Sequence, residues 1–548
     1  MRIITGLFTK YKFLLLVIFF VLLGAFPLLH SGLPPTHDGE YHVIRFYEFD
    51  KVLRDGNLYP RWAPDLNNGY GVPLFNYVYP LPNYFSSFVH LLGVSFIDAF
   101  KLGLFIAVLL GGVFFYLWTK IFFDKIGGLV GAVYYLFSPY LFVDVYIRGA
   151  VGEVWALAFF PAFLWSITEF IYNNKPKFLP ISAIFLSLII FSHNILSFLF
   201  MPFALAYILV LVLLSKERQS KIIGSGFVIL LALCLSAIFW VPAILETKLV
   251  TGLQIYDYKT NFPDLFQLLF PSWGSGFFGA GLASEMSVQI GLANILGVFI
   301  SLFVLFKLFR KKDYRAKLIL FFILFFFLVV FLMQKISIPL WENIPLMNYF
   351  QFPWRFLSLV ILICSFLTAS IFAFTKSKVA AIILIVIVVS LGFNYAHPAH
   401  YLYRNDNYYV TRSNFIDGTN SIGNVFNTIW IKGELKKNKD ILSNKNTKVE
   451  VLERKATSYK FNVIIDQESD LIVNTAYFPG WETKIDGIIS KTTPSSTGLI
   501  KFKVPSGKHL VEVNFTNTII RNLSLIITIV SFALIVKLLV KNWYIRYK

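Results

Sequence analysis

Long runs of apolar residues recur along the whole chain and alternate with short polar segments. Four clear examples run from Phe13 to Leu29, from Ile222 to Val241, from Leu318 to Met333 and from Val379 to Phe393. An α-helix rises about 1.5 Å per residue, so runs of roughly 18 residues or more can cross a hydrocarbon layer of about 30 Å. The pattern therefore predicts a chain of membrane-spanning helices.

Lysine and arginine cluster at alternate ends of these runs, as the positive-inside rule expects of cytoplasmic helix ends. We predict about twelve helices, with both termini in the cytoplasm and the first apolar run retained rather than cleaved as a signal peptide. The predicted spans lie near residues 13–30, 97–119, 127–145, 153–173, 178–193, 195–214, 222–241, 286–306, 317–334, 355–374, 378–394 and 520–540. The region 191–203 is interpreted as an outer turn, with a re-entrant element as the alternative.

This topology leaves four outer segments, at residues 31–96, 242–285, 335–354 and 395–519. The first is rich in Pro, Tyr, Asn and Gly, which favours short interfacial helices and turns that cover the helix bundle. The last segment predicts a small, mainly β extracytoplasmic domain. Strand-like alternation occurs at residues 459–465, 471–478, 499–504 and 510–515, with turns predicted at Asp486-Gly487 and Pro505-Ser506-Gly507.

We therefore divide the chain into three parts. Residues 1–394 are predicted to form the transmembrane domain, which includes the outer loop 31–96. Residues 395–519 form the β domain, and residues 520–548 form a final helix and a cytoplasmic tail. The expected location is the plasma membrane of a cell, with the outer loop and the β domain on the extracytoplasmic side.

The composition supports a membrane protein and excludes two other classes. Of the 548 residues, 57% are hydrophobic and only 14% are charged, which is too apolar for a soluble globular protein. The net charge of +19 is spread over helix ends instead of one basic module, so nucleic acid is not the expected partner. Cys234 and Cys364 both lie in apolar runs, which indicates neither a disulfide framework nor a thiolate metal site.

The first outer loop opens with four titratable residues, His37, Asp38, Glu40 and His42. If a helix begins at Asp38, then Asp38 and His42 share one helix face and could meet one substrate hydroxyl or one divalent cation. The alternative is that Asp38 caps this helix and Glu40 favours its first turn, although capping explains neither histidine.

Five short motifs carry a resemblance to a known family. They are His37-Asp38-Gly39-Glu40-Tyr41-His42, Arg148-Gly149-Ala150 with Glu153, Ser192-His193-Asn194, Gln351-Phe352-Pro353-Trp354-Arg355-Phe356 and Tyr477-Phe478-Pro479-Gly480-Trp481. Their order and spacing resemble the YfhO-like and 6-pyruvoyl-tetrahydropterin synthase related bacterial membrane proteins over nearly the whole chain. The basic N-terminus, single helix and acidic outer loop also resemble the GT-C superfamily of membrane glycosyltransferases. The family name implies no pterin chemistry here.

The GT-C resemblance implies roles for the acidic loop. In that superfamily the acidic residues of the first outer loop act on the acceptor or bind a metal, and the donor is usually a sugar linked to a polyprenyl phosphate. Asp38 is then the leading candidate for a general base or metal ligand, with Glu40 second. Mg or Mn would be the cofactor if a divalent cation is used, but the flanking residues His37 and His42 leave a metal-independent reaction equally open.

A lipid-phosphate donor implies cations at the outer interface, and Arg148 and Arg355 are the candidates because a guanidinium can bind two phosphate oxygens. The alternative for each is snorkelling to the interface, or an ion pair such as Arg148 with Asp144 or Glu153. Glu153 is expected to face a cavity and could be a second carboxylate of the site. His193 either binds substrate or makes a structural turn.

The resemblance implies a glycosyltransferase that moves a sugar from a polyprenyl-phosphate donor to a glycan, lipid or protein acceptor on the outer face of the membrane. Two other classes stay open. The helix number alone would allow a transporter or lipid flippase. The β domain could instead belong to a non-catalytic scaffold of the cell envelope.

Overall fold

The computed structural model describes residues 2–252, 257–411, 426–433, 435, 440–443 and 447–547. Parts of the predicted β domain, such as residues 412–425, therefore lie outside the described residues. Most of the chain is helical. The helices are α1 (Arg2–Ala25), α2 (Gly39–Arg54), α3 (Leu81–Leu91), α4 (Phe96–Leu136), α5 (Pro139–Phe142), α6 (Val151–Ile171), α7 (Phe178–Ser192), α8 (Asn194–Leu214), α9 (Arg218–Leu235), α10 (Ala237–Leu245), α11 (Leu265–Leu269), α12 (Leu292–Arg310), α13 (Arg315–Leu332), α14 (Ile338–Asn343), α15 (Leu357–Ala369), α16 (Lys378–Gly392), α17 (Asp406–Val410) and α18 (Ile519–Tyr547).

Within the described residues, ten helical segments are long and apolar enough to cross a membrane, compared with the twelve predicted spans. One reason is that α4 contains two predicted helices, joined without a loop at Asp124, where φ is +61°. The chain reverses there, and contacts between the two halves of α4 show the reversal. A Cβ added at Gly128 would lie 2.8 Å from the Cβ of Lys120, and the Phe115 and Tyr135 rings stack at 4.8 Å. The other is that α7, with 15 residues, is a shorter apolar helix. The predicted multi-pass helical architecture is confirmed.

Several helix ends differ from the prediction. The third predicted helix, 127–145, already ends at Leu136, and the short helix α5 and a π-helix at Val143–Arg148 follow it. Pro139 begins α5, as expected of a residue that has no backbone N–H to donate. The predicted span 286–306 begins late, after Gly291, because its φ of +95° is incompatible with a helix.

The first outer segment contains α2 and α3, which agrees with the short helices expected there. Helix α3 buries its polar residues Asn83 and Ser86 and exposes Phe88 and Leu91. This reversed polarity is the pattern of a helix whose outer side contacts lipid rather than water.

The C-terminal region contains antiparallel strands. They are β1 (Lys448–Arg454), β2 (Ser458–Ile465), β3 (Ser469–Ala476), β4 (Trp481–Ile485), β5 (Ile488–Ser490), β6 (Thr493–Pro494), β7 (Leu499–Val504) and β8 (Gly507–Phe515). They form one sheet in the order β1-β2-β8-β4-β5 and a second in the order β3-β7-β6. The predicted β content is confirmed, and the predicted turn at Asp486-Gly487, with φ of +50° and +83°, joins β4 to β5. The domain boundaries stay a prediction.

Trp62, from the first outer segment, packs into the β region. Its indole is fully buried, and its ring centroid lies 5.5 Å from that of Trp481 and 5.5 Å from that of Phe515. Because these contacts join residues far apart in sequence, they hold the outer segment against the sheet.

A buried polar cluster, which we call the Glu246 clamp, lies at the same junction. The Oε2 atom of Glu246, at the end of α10, accepts hydrogen bonds from Arg521 Nε at 3.1 Å and from Asn76 Nδ2 at 2.8 Å. Thr518 Oγ1 donates to Glu246 Oε1 at 3.0 Å, and Arg61 Nη1 donates to Asn76 Oδ1 at 2.9 Å. The clamp ties the outer segment and α10 to the last helix.

Candidate functional site

Asp38 lies at the N-cap position of α2, but its side chain makes no capping hydrogen bond. The backbone N–H of Gly39 instead donates to Thr36 Oγ1 at 3.1 Å. The alternative in which Asp38 serves as the helix cap is therefore wrong, because the threonine hydroxyl binds at this helix start. The Asp38 carboxylate can take part in other interactions.

Two backbone hydrogen bonds place the loop beside the π-helix. The N–H of His37 donates to Ile147 O at 3.0 Å, and the N–H of Asp38 donates to Arg148 O at 2.9 Å. Gly149 makes this approach possible, because its φ is +63° and a Cβ there would lie 2.2 Å from Thr36 Oγ1. The fold thus brings together the first two motifs of the sequence.

Burial raises the pKa of the Asp38 carboxyl above its ordinary value, and the positive charges of Arg148 and Arg45 oppose the shift. Burial also lowers the pKa of His37, whose ring stacks on Phe277 at 4.5 Å. Asp38 is therefore a carboxylate that binds a proton more readily than one in water. A group of this kind is suited to general-base chemistry near neutral pH.

The other two loop residues differ in their surroundings. His42 is buried, with its ring 5.9 Å from that of Phe100 and 6.0 Å from that of Phe46, and burial lowers its pKa well below the ordinary value. Its surroundings fit packing as a neutral side chain. Glu40 is partly exposed in the first turn of α2.

The second half of the candidate site is a buried ion cluster around Glu153, which we call the Glu153 cluster. Arg148 donates to both Glu153 oxygens at 2.7 Å and to Asp144 Oδ1 at 2.5 Å. Arg355 Nε donates to Glu153 Oε1 at 3.0 Å. Arg148 is 6% exposed and Arg355 is 4% exposed, so neither snorkels toward bulk lipid. The ion pairs considered for Arg148 are both present.

Aromatic rings surround the two arginines. The Arg148 guanidinium lies 5.0 Å from the centroid of the Trp354 ring, and the Arg355 guanidinium lies 5.1 Å from that of Phe352. The two rings stack on one another at 4.8 Å. Arg355 Nη1 also donates to Phe350 O at 2.7 Å. These contacts hold both guanidinium groups in fixed positions.

His193 completes the Glu153 cluster at the turn between α7 and α8. Its extended backbone separates the two helices, which supports a turn in this region; the position of that turn on the outer side stays a prediction. Its Nδ1 accepts the N–H of Leu196 at 3.1 Å, so the neutral ring carries its proton on Nε2. Nε2 lies 3.8 Å from Glu153 Oε1, too far for a hydrogen bond.

Two polar atoms beside Arg148 lack hydrogen-bond partners in the described part of the chain. Asp144 Oδ2 and Trp354 Nε1 are both buried. An unpaired buried polar group costs about 1–3 kcal/mol. Burial also raises the pKa of Asp144, against the charge of Arg148. One acceptor, Asp144 Oδ2, and one donor, Trp354 Nε1, are therefore available to a ligand at the Glu153 cluster.

No group of three His, Cys, Asp or Glu side chains with a metal-binding arrangement occurs among the described residues. The Mg or Mn role suggested for Asp38 and Glu40 stays a prediction. Sequence reasoning did not assign Thr36 or Arg45 to the site, and it considered Asp144 only as an ion-pair partner. The spacing of Asp144, Arg148 and Glu153 within ten residues was the available signal for the buried cluster.

Comparisons with known proteins give two family matches. The model described as "6-pyruvoyl-tetrahydropterin synthase related domain; membrane protein" matches residues 75–401. The model described as "Bacterial membrane protein YfhO" matches residues 432–528. A curated protein from Lactococcus lactis subsp. cremoris (strain MG1363), named "Uncharacterized protein", is 25% identical over 337 residues, which cover 58% of this chain and 52% of the relative. The chain thus spans about half the length of that relative.

Two similar solved structures are the apo oligosaccharyltransferase of Archaeoglobus fulgidus and the arabinofuranosyltransferase AftD from Mycobacteria. The first is 13% identical, with a TM-score of 0.42 over 71% of this chain and 56% of that one. The second is 16% identical, with a TM-score of 0.43 over 71% of this chain and 27% of that one. Because the match at residues 75–401 covers more than half of the sequence, the chain belongs to the 6-pyruvoyl-tetrahydropterin synthase related family of membrane proteins.

Proposed function

We propose that the protein is a GT-C-type membrane glycosyltransferase that transfers a sugar from a polyprenyl-phosphate donor to a glycan, lipid or protein acceptor of the cell envelope. The observation that carries the proposal is the position of Asp38. Thr36 binds the helix start in its place, and a backbone hydrogen bond holds Asp38 beside Arg148. A carboxylate thus lies near the buried Arg148, an arrangement suited to acid–base chemistry on a phosphate-linked donor.

Asp38 is assigned the role of general base. It would accept the proton of the acceptor hydroxyl as that oxygen attacks the sugar carbon bonded to the phosphate oxygen. The raised pKa supports this role, because a base works best when its pKa approaches the operating pH. Glu40, partly exposed in the first turn of α2, is assigned as a supporting carboxylate. His37 lies close enough to Asp38 for their charges to interact.

Arg148 and Arg355 are assigned to the leaving phosphate. Their guanidinium groups are buried, where charge stabilisation is stronger than in water. Within the described part of the chain, Arg355 donates hydrogen bonds through Nε and Nη1, and we assign its Nη2 to a phosphate oxygen. We place the site on the outer face of the membrane, with both termini in the cytoplasm, because the basic helix ends follow the positive-inside rule.

The test is Asp38→Asn in the purified full-length protein, reconstituted into nanodiscs with a radiolabelled polyprenyl-phosphate hexose and a crude envelope fraction as acceptor. The amide keeps the shape but cannot accept the proton, so transfer should fall by about a hundredfold or more. Asp65→Asn is the matched control, since Asp65 lies in the same outer segment, is exposed and pairs with the half-buried Lys51. Folded Asp38→Asn protein that transfers sugar at the parent rate would refute the proposal.

The same assay tests the metal. Transfer that is lost with a chelator and restored by Mg or Mn would assign Asp38 and Glu40 as metal ligands instead of base and support. Transfer that is unchanged by a chelator would keep Asp38 as a metal-independent base.

A further inference from the structure

The carboxylate of Glu153 occupies the position between Arg148 and Arg355 that the proposed function assigns to the phosphate of the donor. Its two oxygens accept two parallel hydrogen bonds from Arg148, both 2.7 Å long, and Oε1 also accepts from Arg355 Nε at 3.0 Å. A phosphodiester presents the same pattern, with two free oxygens and one negative charge. The protein's own side chain therefore occupies the forks that an anionic substrate would use.

Both arginines of the Glu153 cluster already have acidic partners within the protein. Arg148 pairs with Asp144 and Glu153, and Arg355 pairs with Glu153. All four side chains are at least nine-tenths buried, so solvent screens their charges weakly. A further anion can reach the Arg148 fork and Arg355 Nε only if the Glu153 carboxylate leaves these donors.

His193 offers the displaced carboxylate a new partner. Its Nδ1 accepts the N–H of Leu196, which directs the ring proton to Nε2. Nε2 lies 3.8 Å from Glu153 Oε1, about 1 Å beyond hydrogen-bond length. A small rotation of the Glu153 side chain toward the ring would form this hydrogen bond.

The surroundings of Arg148 also contain an unused donor. Trp354 Nε1 is buried without a partner in the described structure, and the indole lies against the Arg148 guanidinium. An anion that replaced Glu153 at this guanidinium could accept from Nε1. The exchange would then satisfy a donor that the present arrangement leaves unpaired.

We propose that Glu153 is a built-in counter-anion that an incoming phosphodiester displaces from Arg148 and Arg355, and that its carboxylate then binds His193 Nε2. This inference rests on the proposed function, in which the donor carries the phosphodiester. It makes Glu153 and His193 positioning residues for donor binding. It also defines the favoured ligand as a singly charged anion with two free oxygens.

The test measures binding of methyl farnesyl phosphate, a short monoanionic prenyl phosphodiester, to the full-length protein in detergent by isothermal titration calorimetry. Glu153→Gln should bind the probe about tenfold more tightly or better, because displacement of the carboxylate no longer reduces the apparent affinity. Glu153→Asp keeps the charge needed for folding but shortens the reach to the arginines, and it should also bind more tightly. Glu169→Gln, in the same helix and paired with Lys175, is the matched control and should bind as the parent does.

The His193 part of the proposal needs a double-mutant cycle. His193→Phe should weaken probe binding to the parent severalfold, since the released carboxylate loses its partner, but should leave binding to Glu153→Gln unchanged. Equal or weaker binding by folded Glu153→Gln and Glu153→Asp, absence of binding to every variant, or an equal His193→Phe effect in both backgrounds would each overturn the exchange.

These outcomes are separate from the test of the proposed function. Tighter binding by Glu153→Gln, together with parent-like transfer by Asp38→Asn, would keep the exchange and refute the assigned reaction. The reverse pair of results would keep the reaction and refute the exchange.

Discussion

Replacing Arg521 with methionine should destabilise the junction between the β region and the membrane helices. Arg521 is fully buried and donates to Glu246 Oε2 through Nε at 3.1 Å and Nη2 at 3.0 Å. Its guanidinium also lies 5.1 Å from the centroids of the Phe478 and Phe515 rings. Methionine fills much of the volume but leaves the Glu246 carboxylate, 2% exposed, without the cation that pairs with it directly. Breaking a buried pair on one side costs about 3–5 kcal/mol.

A double variant also removes the carboxylate that Arg521→Met leaves unpaired. In Arg521→Met/Glu246→Gln, the amide oxygen can accept from Asn76 in place of Oε2, and the amide N–H can donate to the Thr518 hydroxyl in place of Oε1, while the buried carboxylate is gone. The double variant should therefore recover much of the lost stability, because the penalty comes mainly from the uncompensated charge.

The assay is thermal unfolding in nanodiscs, followed by tryptophan fluorescence. With an unfolding entropy of about 2.1 cal/mol/K per residue over 548 residues, the cost of the broken pair should lower the Tm of the single variant by roughly 3–4 °C. Arg310→Met is the control, since Arg310 also lies over an aromatic ring, that of Phe306 at 4.2 Å, but is exposed. An unchanged Tm for Arg521→Met, or a double variant as unstable as the single one, would refute the reasoning.

Three further predictions concern pH and backbone conformation. Burial raises the pKa of Asp38, and the proposed reaction needs its ionised form. A plot of kcat/KM against pH should therefore rise through an acid limb that lies above the ordinary aspartate range, and a profile without this limb would contradict the role of Asp38 as a base. Gly149→Ala should lower both the Tm and the rate of sugar transfer, because φ at this position is +63° and the new Cβ would lie 2.2 Å from Thr36 Oγ1. A melting curve like that of the parent would show that the loop accommodates the methyl group. The hydrogen bond between Asp486 and His509 lowers the pKa of the aspartate and raises the pKa of the histidine. Its stabilising effect should therefore be present between about pH 4 and 6.5. The effect should be lost as pH falls through the lowered Asp486 pKa or rises through the raised His509 pKa. Unfolding of His509→Asn measured against pH should lack this dependence, and an identical dependence in the variant would assign it to other groups.

The sequence predicts the elements whose signal is local. Apolar runs of span length correspond to the long helices, and the strands expected near 459–465 and 499–504 correspond to β2 and β7. The turn at Asp486-Gly487 was also predictable, because both residues tolerate a positive φ. Periodicity and turn chemistry act over a few residues, so these features need no knowledge of the tertiary fold.

The candidate site was predictable only in part. Its ionisable residues could be selected because charges near membrane spans are costly, but their partners come from distant segments. Arg355 reaches Glu153 across 202 positions, and no local pattern indicates this pairing. The close approach of Gly149 to Thr36 is likewise a tertiary contact between segments far apart in sequence. Such contacts are decided by packing, which a single sequence does not display.

The insertion of Trp62 has a consequence for protein engineering. Its indole fills a space between Trp481 and Phe515, and Gly71 must lack a side chain because a Cβ there would lie 2.4 Å from the indole nitrogen. A β region excised by itself would carry an open, ring-sized hole on its surface. Chimeras that exchange this region between relatives should therefore transplant the segment around Trp62 and Gly71 together with the strands.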